Sequence, residues 1–199
     1  VYGNANGATV DISSGTIAPS KGFKLTGEMI SPYGSQLGAS VASAGDINGD
    51  GLGDLIVGAL YANNNNGAAY VVYGNTSGTG VDLASGVIAA SNGFKLTGLT
   101  NSNMGYSVSS AGDINGDGLA DLIIGAPDTI SSGRSYVVFG KTNSNALNLS
   151  AVAAGSGGFV IHGQCQADLS GYSVSGAGDV NGDGLADVIV GAPHSEPDG

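Results

Sequence analysis

The sequence of 199 residues predicts an all-β fold built from repeated units of four short antiparallel strands. Three observations favour this class. Short runs rich in Val, Ile and Leu alternate with turns of Gly, Asn, Asp and Ser, and 37 glycines punctuate the chain. Segments of one composition also return after 67 and then 66 residues, which indicates a structural repeat. Hydrophobic residues make up 41% of the chain, so it can bury a core, although most of them are small.

One nine-residue stretch occurs three times and carries oxygen-bearing side chains at positions 1, 3, 5 and 9, with Gly at position 6. Such a loop can wrap a hard cation such as Ca²⁺, because side-chain oxygens and the carbonyl of position 7 point inward while the glycine permits a sharp turn. A single match could be an ordinary turn, but three in one register favour three Ca²⁺ sites. The predicted ligands are Asp46, Asn48, Asp50, Leu52 and Asp54; Asp113, Asn115, Asp117, Leu119 and Asp121; and Asp179, Asn181, Asp183, Leu185 and Asp187.

The residues after each loop separate it from a helical calcium hand. Position 12 of such a hand is a bidentate Glu, but it is Val57, Ile124 or Val190 here. Each of these residues ends a short apolar run that is typical of a buried strand. We therefore predict that each loop joins two strands.

The complete repeat contains four predicted strands. In the central copy they are strand a (105–112), strand b (121–126), strand c (135–140) and strand d (158–163), with the calcium loop between a and b. Four antiparallel strands in 60–70 residues are typical of a propeller blade. Strand a is rich in Gly, Ser and Ala, which suits the crowded centre, whereas strand d carries Lys24 or Lys95 and is expected at the outer edge. The connection from c to d fits either one helical turn or an extended crossing.

The central repeat resembles the FG-GAP repeat of integrin alpha-subunit propellers and their bacterial relatives. Met104-Gly105, the loop from Asp113 to Asp121, and Gly125-Ala126-Pro127 match the family pattern. The other two copies match through Leu37-Gly38 with Gly58-Ala59-Leu60, and through Ser170-Gly171 with Gly191-Ala192-Pro193. The Phe of the family is replaced in all three copies, and its Pro is Leu60 in the first. The resemblance implies an integrin-alpha-like β-propeller in which Ca²⁺ braces the turn between the first two strands.

The strand count predicts an unusual closure for residues 1–199, taken as one propeller region. Residues 37–98 and 104–163 each supply a blade, and residues 170–193 with residues 1–27 supply a composite one. Propellers usually have four to eight blades, so three should not close as a monomer. We expect either a head-to-tail homodimer that closes a six-bladed ring or a fragment of a longer propeller.

The charge distribution excludes some partners. The net charge is −11, nine of the 16 acidic residues lie in the loops, and three bound Ca²⁺ ions would bring the charge to −5. Five basic residues cannot track a phosphate backbone, so we expect no nucleic-acid partner. No apolar run is long enough to cross a bilayer.

The remaining residues with reactive or polar side chains show no pattern of a catalytic or metal site, which favours ordinary structural or surface roles for them. Cys165 has no disulfide partner, and neither histidine has a His or Cys partner at metal spacing. Three acidic residues outside the loops leave a paired-carboxylate glycosidase open, and several loop residues could line a sugar or protein site. The histidines are His162 and His194, and the three acidic residues are Asp128, Asp168 and Asp198. The loop residues are Tyr33, Tyr61 and Asn63 to Asn66.

The resemblance implies a calcium-stabilised extracellular or cell-surface scaffold for adhesion or ligand binding, without catalysis of its own. Its partner would be a protein or a glycan. Two alternatives are a module of a secreted carbohydrate- or lipid-active enzyme and a sugar-binding lectin. These expectations rest on fold-level similarity rather than on a recognised ligand site.

Overall fold

A five-stranded sheet and a four-stranded sheet form the body of the structure, a computed structural model that describes residues 1–2, 13, 15–27, 34–100, 102–128 and 131–195. Each contains four antiparallel strands, and the fifth strand of the first sheet is parallel to its neighbour. The strands of the first half are β1 (Leu25–Thr26), β2 (Leu37–Gly45), β3 (Asp54–Ala59), β4 (Ala68–Val72), β5 (Val81–Asp82) and β6 (Gly93–Thr97). Those of the second half are β7 (Ser107–Gly112), β8 (Asp121–Ala126), β9 (Arg134–Val138), β10 (Leu147–Asn148), β11 (Gly158–His162), β12 (Ser173–Gly178) and β13 (Asp187–Gly191). Two short helical segments, α1 (Ala62–Asn65) and α2 (Leu149–Ala153), lie between strands.

Each blade is an antiparallel meander of the strands that correspond to a, b, c and d. The first blade has the order β2-β3-β4-β6, the second has β7-β8-β9-β11, and β12 with β13 forms a half-blade. Strands β3, β4, β8 and β9 are buried along nearly their whole length, because neighbouring elements cover both faces. The prediction of an all-β fold with four-stranded antiparallel blades is confirmed.

Small residues allow the blades to approach one another. Strand β7 contacts both β2 and β12, so the first strands of successive blades converge. A Cβ atom on Gly58 would lie 2.1 Å from the carbonyl oxygen of Gly105, and one on Gly125 would lie 2.0 Å from that of Gly171. A side chain at either position would therefore push the next blade away, which explains the glycine of the Gly-Ala-Pro motif.

Strand d is the outermost antiparallel strand of each blade, as expected, and one further short strand covers its edge in two blades. Strand β10 pairs with β6 in parallel, and β5 pairs with β1 in the same way. The connection from strand c to strand d of one blade thus adds a short strand to the preceding blade. Both conformations left open by the sequence occur together at residues 147–153, where extended β10 leads into α2 and the Asn148 side chain accepts a hydrogen bond from Ser150 N at 2.8 Å.

The described residues at the N-terminus occupy the outer part of a blade that would precede the first. The N–H of Tyr2 donates to the Lys21 carbonyl at 2.9 Å, just as Tyr73 donates to Asn92 at 2.8 Å where β4 meets β6. Through β1 and β5 this segment lies against the first blade, whereas the half-blade packs on the second. In the part of one chain that the structure describes, β13 pairs with β12 and not with residues 1–27. The composite blade therefore remains a prediction.

Candidate metal loops

The three predicted calcium loops share one hydrogen-bonded conformation. Oδ1 of Asp46 accepts from the backbone N–H groups of residues 49 and 50 at 2.8 and 3.1 Å, and Oδ2 accepts from residue 51 at 2.9 Å. The corresponding distances are 2.7, 3.1 and 2.9 Å both at Asp113 and at Asp179. The first aspartate therefore organises the turn by gathering three backbone donors.

Glycine is required twice in each loop. Gly49 and Gly51 have φ angles of 78° and 86°, in the left-handed region that residues with a Cβ atom rarely adopt. These conformations turn successive N–H groups toward the first aspartate. The glycine at position 4, which the sequence analysis did not use, is therefore as important to the loop as the glycine at position 6.

The side chains at positions 3 and 5 lie together on the exposed side of the loop. Asn48 Oδ1 accepts from Asp50 N at 2.9 Å, and its Nδ2 donates to Asp50 Oδ2 at 3.0 Å. Asp50 Oδ1 in turn accepts from Leu52 N at 2.8 Å. The structure thus brings the oxygen donors of positions 1, 3 and 5 into one exposed turn.

The aspartate at position 9 has a structural role that sequence reasoning missed. Asp54 is 1% exposed; its Oδ2 accepts from Ile47 N at 3.0 Å and its Oδ1 from Gly74 N at 2.8 Å. Asp121 is fully buried and makes the equivalent bonds at 2.8 and 2.7 Å. This carboxylate fastens the loop to the end of the third strand. The signal in the sequence was the aromatic-Gly pair that ends strand c in the same register each time, here Gly74 and Gly140.

Burial makes these two fastening carboxylates electrostatically unfavourable. It raises the pKa of Asp54 above its usual value, and the negative charges of Asp50 and Asp46 raise it further, although the N–H groups of Gly74 and Ile47 act in the opposite direction. The pKa of Asp121 is raised by burial in the same way. A cation near these groups would favour their charged forms.

The donor chemistry fits a hard cation, while the ligand set itself stays a prediction. Within the described ranges, no three His, Cys, Asp or Glu side chains form a group that could hold a metal ion. The atoms each loop does offer are carboxylate, amide and carbonyl oxygens, which suit Ca²⁺ rather than a soft metal. Each loop also carries a formal charge of −3, and the hydrogen-bond donors found for its carboxylates are neutral N–H groups.

Each of the first two loops is attached to the following blade. The carbonyl of Asp46 accepts from Ala120 N at 3.1 Å, and that of Asp113 accepts from Ala186 N at 3.0 Å. The Ile47 carbonyl also accepts from Lys141 N at 2.9 Å. The loops therefore lie at the junctions between blades, so that a change in loop conformation would act directly on blade packing.

Other candidate residues identified in the sequence do not form one site. Cys165, Asp168 and His194 line a surface cavity of about 570 Å³, where Asp168 Oδ2 accepts from Cys165 N at 2.6 Å and its carbonyl accepts from His194 N at 3.3 Å. Asp128 lies in a different cavity of about 70 Å³ and accepts from Ser131 Oγ at 2.9 Å. The two described carboxylates of the glycosidase hypothesis thus line different cavities.

The remaining loop candidates are dispersed. His162 is exposed at the end of β11, and Tyr61 is 37% exposed just before α1. Asn63 and Asn64 have left-handed φ angles of 55° and 56°, so the asparagine run forms a tight turn rather than a regular helix. Tyr33 and Asp198 lie outside the described residues. Among the helices of the described chain, none has the length and apolar character needed to span a membrane.

Comparison with known proteins agrees with the blade architecture. The family model of the FG-GAP repeat matches residues 37–72, 104–138 and 170–199, together about half of the chain. Each matched segment contains the first two strands of a blade and the loop between them.

Integrin alpha chains are among the curated relatives of this chain. The sequence is 34% identical to integrin alpha-7 of Rattus norvegicus over 172 residues, which cover 84% of this chain and 13% of that protein. It is 33% identical to integrin alpha-V of Gallus gallus over 177 residues, or 85% of this chain and 16% of that protein. The chain thus spans a small part of the relatives that it matches. The chain belongs to the FG-GAP repeat family and is integrin-alpha-like.

Proposed function

We propose that this chain is part of a calcium-stabilised propeller scaffold for adhesion or ligand binding at the cell surface or outside the cell, with no catalysis of its own. The observation that carries the proposal is the recurrence of one loop conformation, with three acidic side chains, in all three repeats, where the first two loops lie at blade junctions. Similarity to integrin alpha chains supports the adhesive role.

The proposed Ca²⁺ ligands in the first loop are Asp46, Asn48, Asp50, the carbonyl of Leu52, and Asp54, with the equivalent residues in the other two loops. The bound ion would supply positive charge that offsets the repulsion among the carboxylates. An extracellular site with a Kd of about 10⁻⁴ M would add about 1–1.5 kcal/mol of stability at millimolar Ca²⁺.

Hydrogen bonds link the conformation of each loop to the packing of the blades beside it. Asp46 gathers the backbone donors of the turn, Asp54 joins the turn to the end of β4, and the Asp46 carbonyl holds the second blade. A loop fixed by Ca²⁺ would therefore stabilise both its own blade and the next junction. Rigid blades of this kind can present their connecting loops as a binding surface.

The metal component can be tested by calorimetric titration of the EDTA-stripped chain with Ca²⁺. We expect three sites, and Asp50→Asn should remove one of them because it lowers the charge of one loop. Asp82→Asn is the matched control, since Asp82 is an exposed aspartate outside the loops that accepts from Ala84 N at 2.9 Å. Fewer than two sites in the unmodified chain would contradict the metal assignment.

The binding component needs a separate assay. The chain should bind immobilised extracellular proteins in Ca²⁺ and lose that binding in EDTA. A glycan array run in parallel distinguishes the lectin alternative: selective glycan binding without protein binding would contradict the proposed protein ligand. Turnover of a polysaccharide or lipid substrate by the purified chain would contradict the absence of catalysis.

A further inference from the structure

A small cavity at the junction of the first two blades contains a buried hydroxyl group. Its volume is about 70 Å³, and it is lined by Leu99, which follows β6 of the first blade, and by Tyr136 on β9 of the second. Tyr136 is fully buried, whereas Thr100 on the wall of the same cavity is exposed. The cavity therefore connects the surface with the interior of the junction.

The Tyr136 hydroxyl has no hydrogen-bond partner among the residues that the structure describes. A buried hydroxyl without a partner costs free energy, so a bound group that accepts from it is favoured. Tyr70, at the same position of the first blade, donates to the Gly86 carbonyl at 3.3 Å, and the Lys95 ammonium lies 5.2 Å from its ring centre. Strand d places Lys95 opposite Tyr70 but Val160 opposite Tyr136. The second blade therefore differs from the first at this hydroxyl.

Two side chains of opposite charge line the same cavity. Asp128 follows β8, and its Oδ2 accepts from Ser131 Oγ at 2.9 Å. Arg134 begins β9 and pairs with Ala126, at the position where the first blade has the fully buried Ala68. A charged ligand of either sign would meet a like charge here, whereas a neutral polar group would not. Arg134 offers N–H donors and Asp128 offers acceptor oxygens.

The volume and the polar groups of the cavity fit a primary amide. A water molecule occupies about 30 Å³ in the liquid, so this cavity holds a group of only a few non-hydrogen atoms. The carbonyl oxygen of an amide can accept from the Tyr136 hydroxyl and from Arg134, while its NH₂ group donates to Asp128. The carbon atoms beside the amide can pack on Leu99 and Ala126, which also line the cavity.

We propose that this cavity binds the side-chain amide of an Asn or Gln residue on a protein ligand. The inference rests on the proposed function, since it assigns one contact of the binding scaffold. A backbone amide carries chain on both sides, which a cavity of about 70 Å³ cannot hold. Leu99 belongs to one blade and Arg134 to the next, so the site depends on the packing of both blades.

Carbon-13 NMR of the chain labelled at tyrosine Cζ tests the chemistry of the cavity. Acetamide should shift the Tyr136 signal, which Tyr136→Phe identifies, with a Kd on the order of millimolar because four non-hydrogen atoms make few contacts. Acetate should leave this signal unchanged. Asp128→Asn should make acetate bind at least tenfold more tightly, since it removes the like charge. Asp82→Asn, at an exposed aspartate outside the cavity, is the matched control and should change neither titration.

Tripeptides test the source of the amide. Gly-Gln-Gly should shift the Tyr136 signal, whereas Gly-Glu-Gly and Gly-Ala-Gly should not, and Arg134→Ala should weaken the binding of Gly-Gln-Gly at least tenfold. Circular dichroism checks that this variant is folded, and Asp128→Asn decides the matter if it is not. No saturable shift with acetamide, tighter binding of acetate than of acetamide, or equal shifts with Gly-Ala-Gly and Gly-Gln-Gly would each overturn the proposal. Intact acetamide and Gly-Gln-Gly shifts in a chain that binds no extracellular protein would contradict the proposed function alone.

Discussion

Asp121→Ala should destabilise the protein much more than Asp187→Ala, although the two aspartates occupy the same loop position. Asp121 is fully buried and accepts from Ile114 N at 2.8 Å and from Gly140 N at 2.7 Å. Asp187 is partly exposed and accepts from Val180 N at 2.8 Å, with no third-strand glycine beside it among the described residues.

The magnitude follows from the number of bonds lost. A hydrogen bond to a charged group contributes about 1.5–3 kcal/mol, and Asp121→Ala removes two of them. Burial raises the pKa of Asp121, so removal of its charge offsets part of the loss. We expect Asp121→Ala to lower the free energy of unfolding by about 3–4 kcal/mol and Asp187→Ala by about 1.5 kcal/mol.

Urea denaturation followed by circular dichroism, in excess EDTA, measures this difference without a contribution from bound metal. Asp54→Ala should behave like Asp121→Ala, because its two backbone bonds are equivalent. Equal losses for Asp121→Ala and Asp187→Ala would refute the fastening role that we assign to the buried carboxylate.

Three further predictions concern the metal and the blade contacts. Chelation with EDTA should lower Tm by roughly 10 °C, because three sites each contribute about 1–1.5 kcal/mol; an unchanged Tm in differential scanning calorimetry would argue against a structural metal. Asp117→Ala should reduce the calorimetric stoichiometry from three Ca²⁺ to two and lower Tm in Ca²⁺, and an unchanged count would remove the second loop from the ligand assignment. Gly125→Ala should lower the free energy of unfolding by about 3 kcal/mol, because its Cβ would lie 2.0 Å from the Gly171 carbonyl oxygen. Gly53→Ala is the control and should be close to neutral, because the space around its Cβ is open. Similar urea midpoints for both variants would contradict the close approach of the blades.

Short-range patterns of residue type in the sequence were sufficient to predict the strands and the turn of each loop. The apolar run from Asp121 to Ala126 reads as a buried strand, and it is observed with those bounds because every residue in it is buried between neighbours. Strand c was expected at 135–140 but is Arg134–Val138, since Gly140 turns away to donate to Asp121. That hydrogen bond joins residues 19 positions apart, and the aromatic-Gly pair that ends each strand c is its signal in the sequence.

The sequence was enough to identify the blades and the family, through the repeat spacing and the Asp, Asn and Gly positions of the loops. Strand pairing within a blade and turn conformation within a loop depend on residues close together in the chain. Contacts between distant segments required the folded chain. These include the pairing of β10 with β6, the attachment of each loop carbonyl to the next blade, and the different exposures of Ile47 and Val180. Ile47 and Val180 occupy the same position in the repeat, and among the described residues a following blade packs on Ile47 but not on Val180, so that one is fully buried and the other 75% exposed.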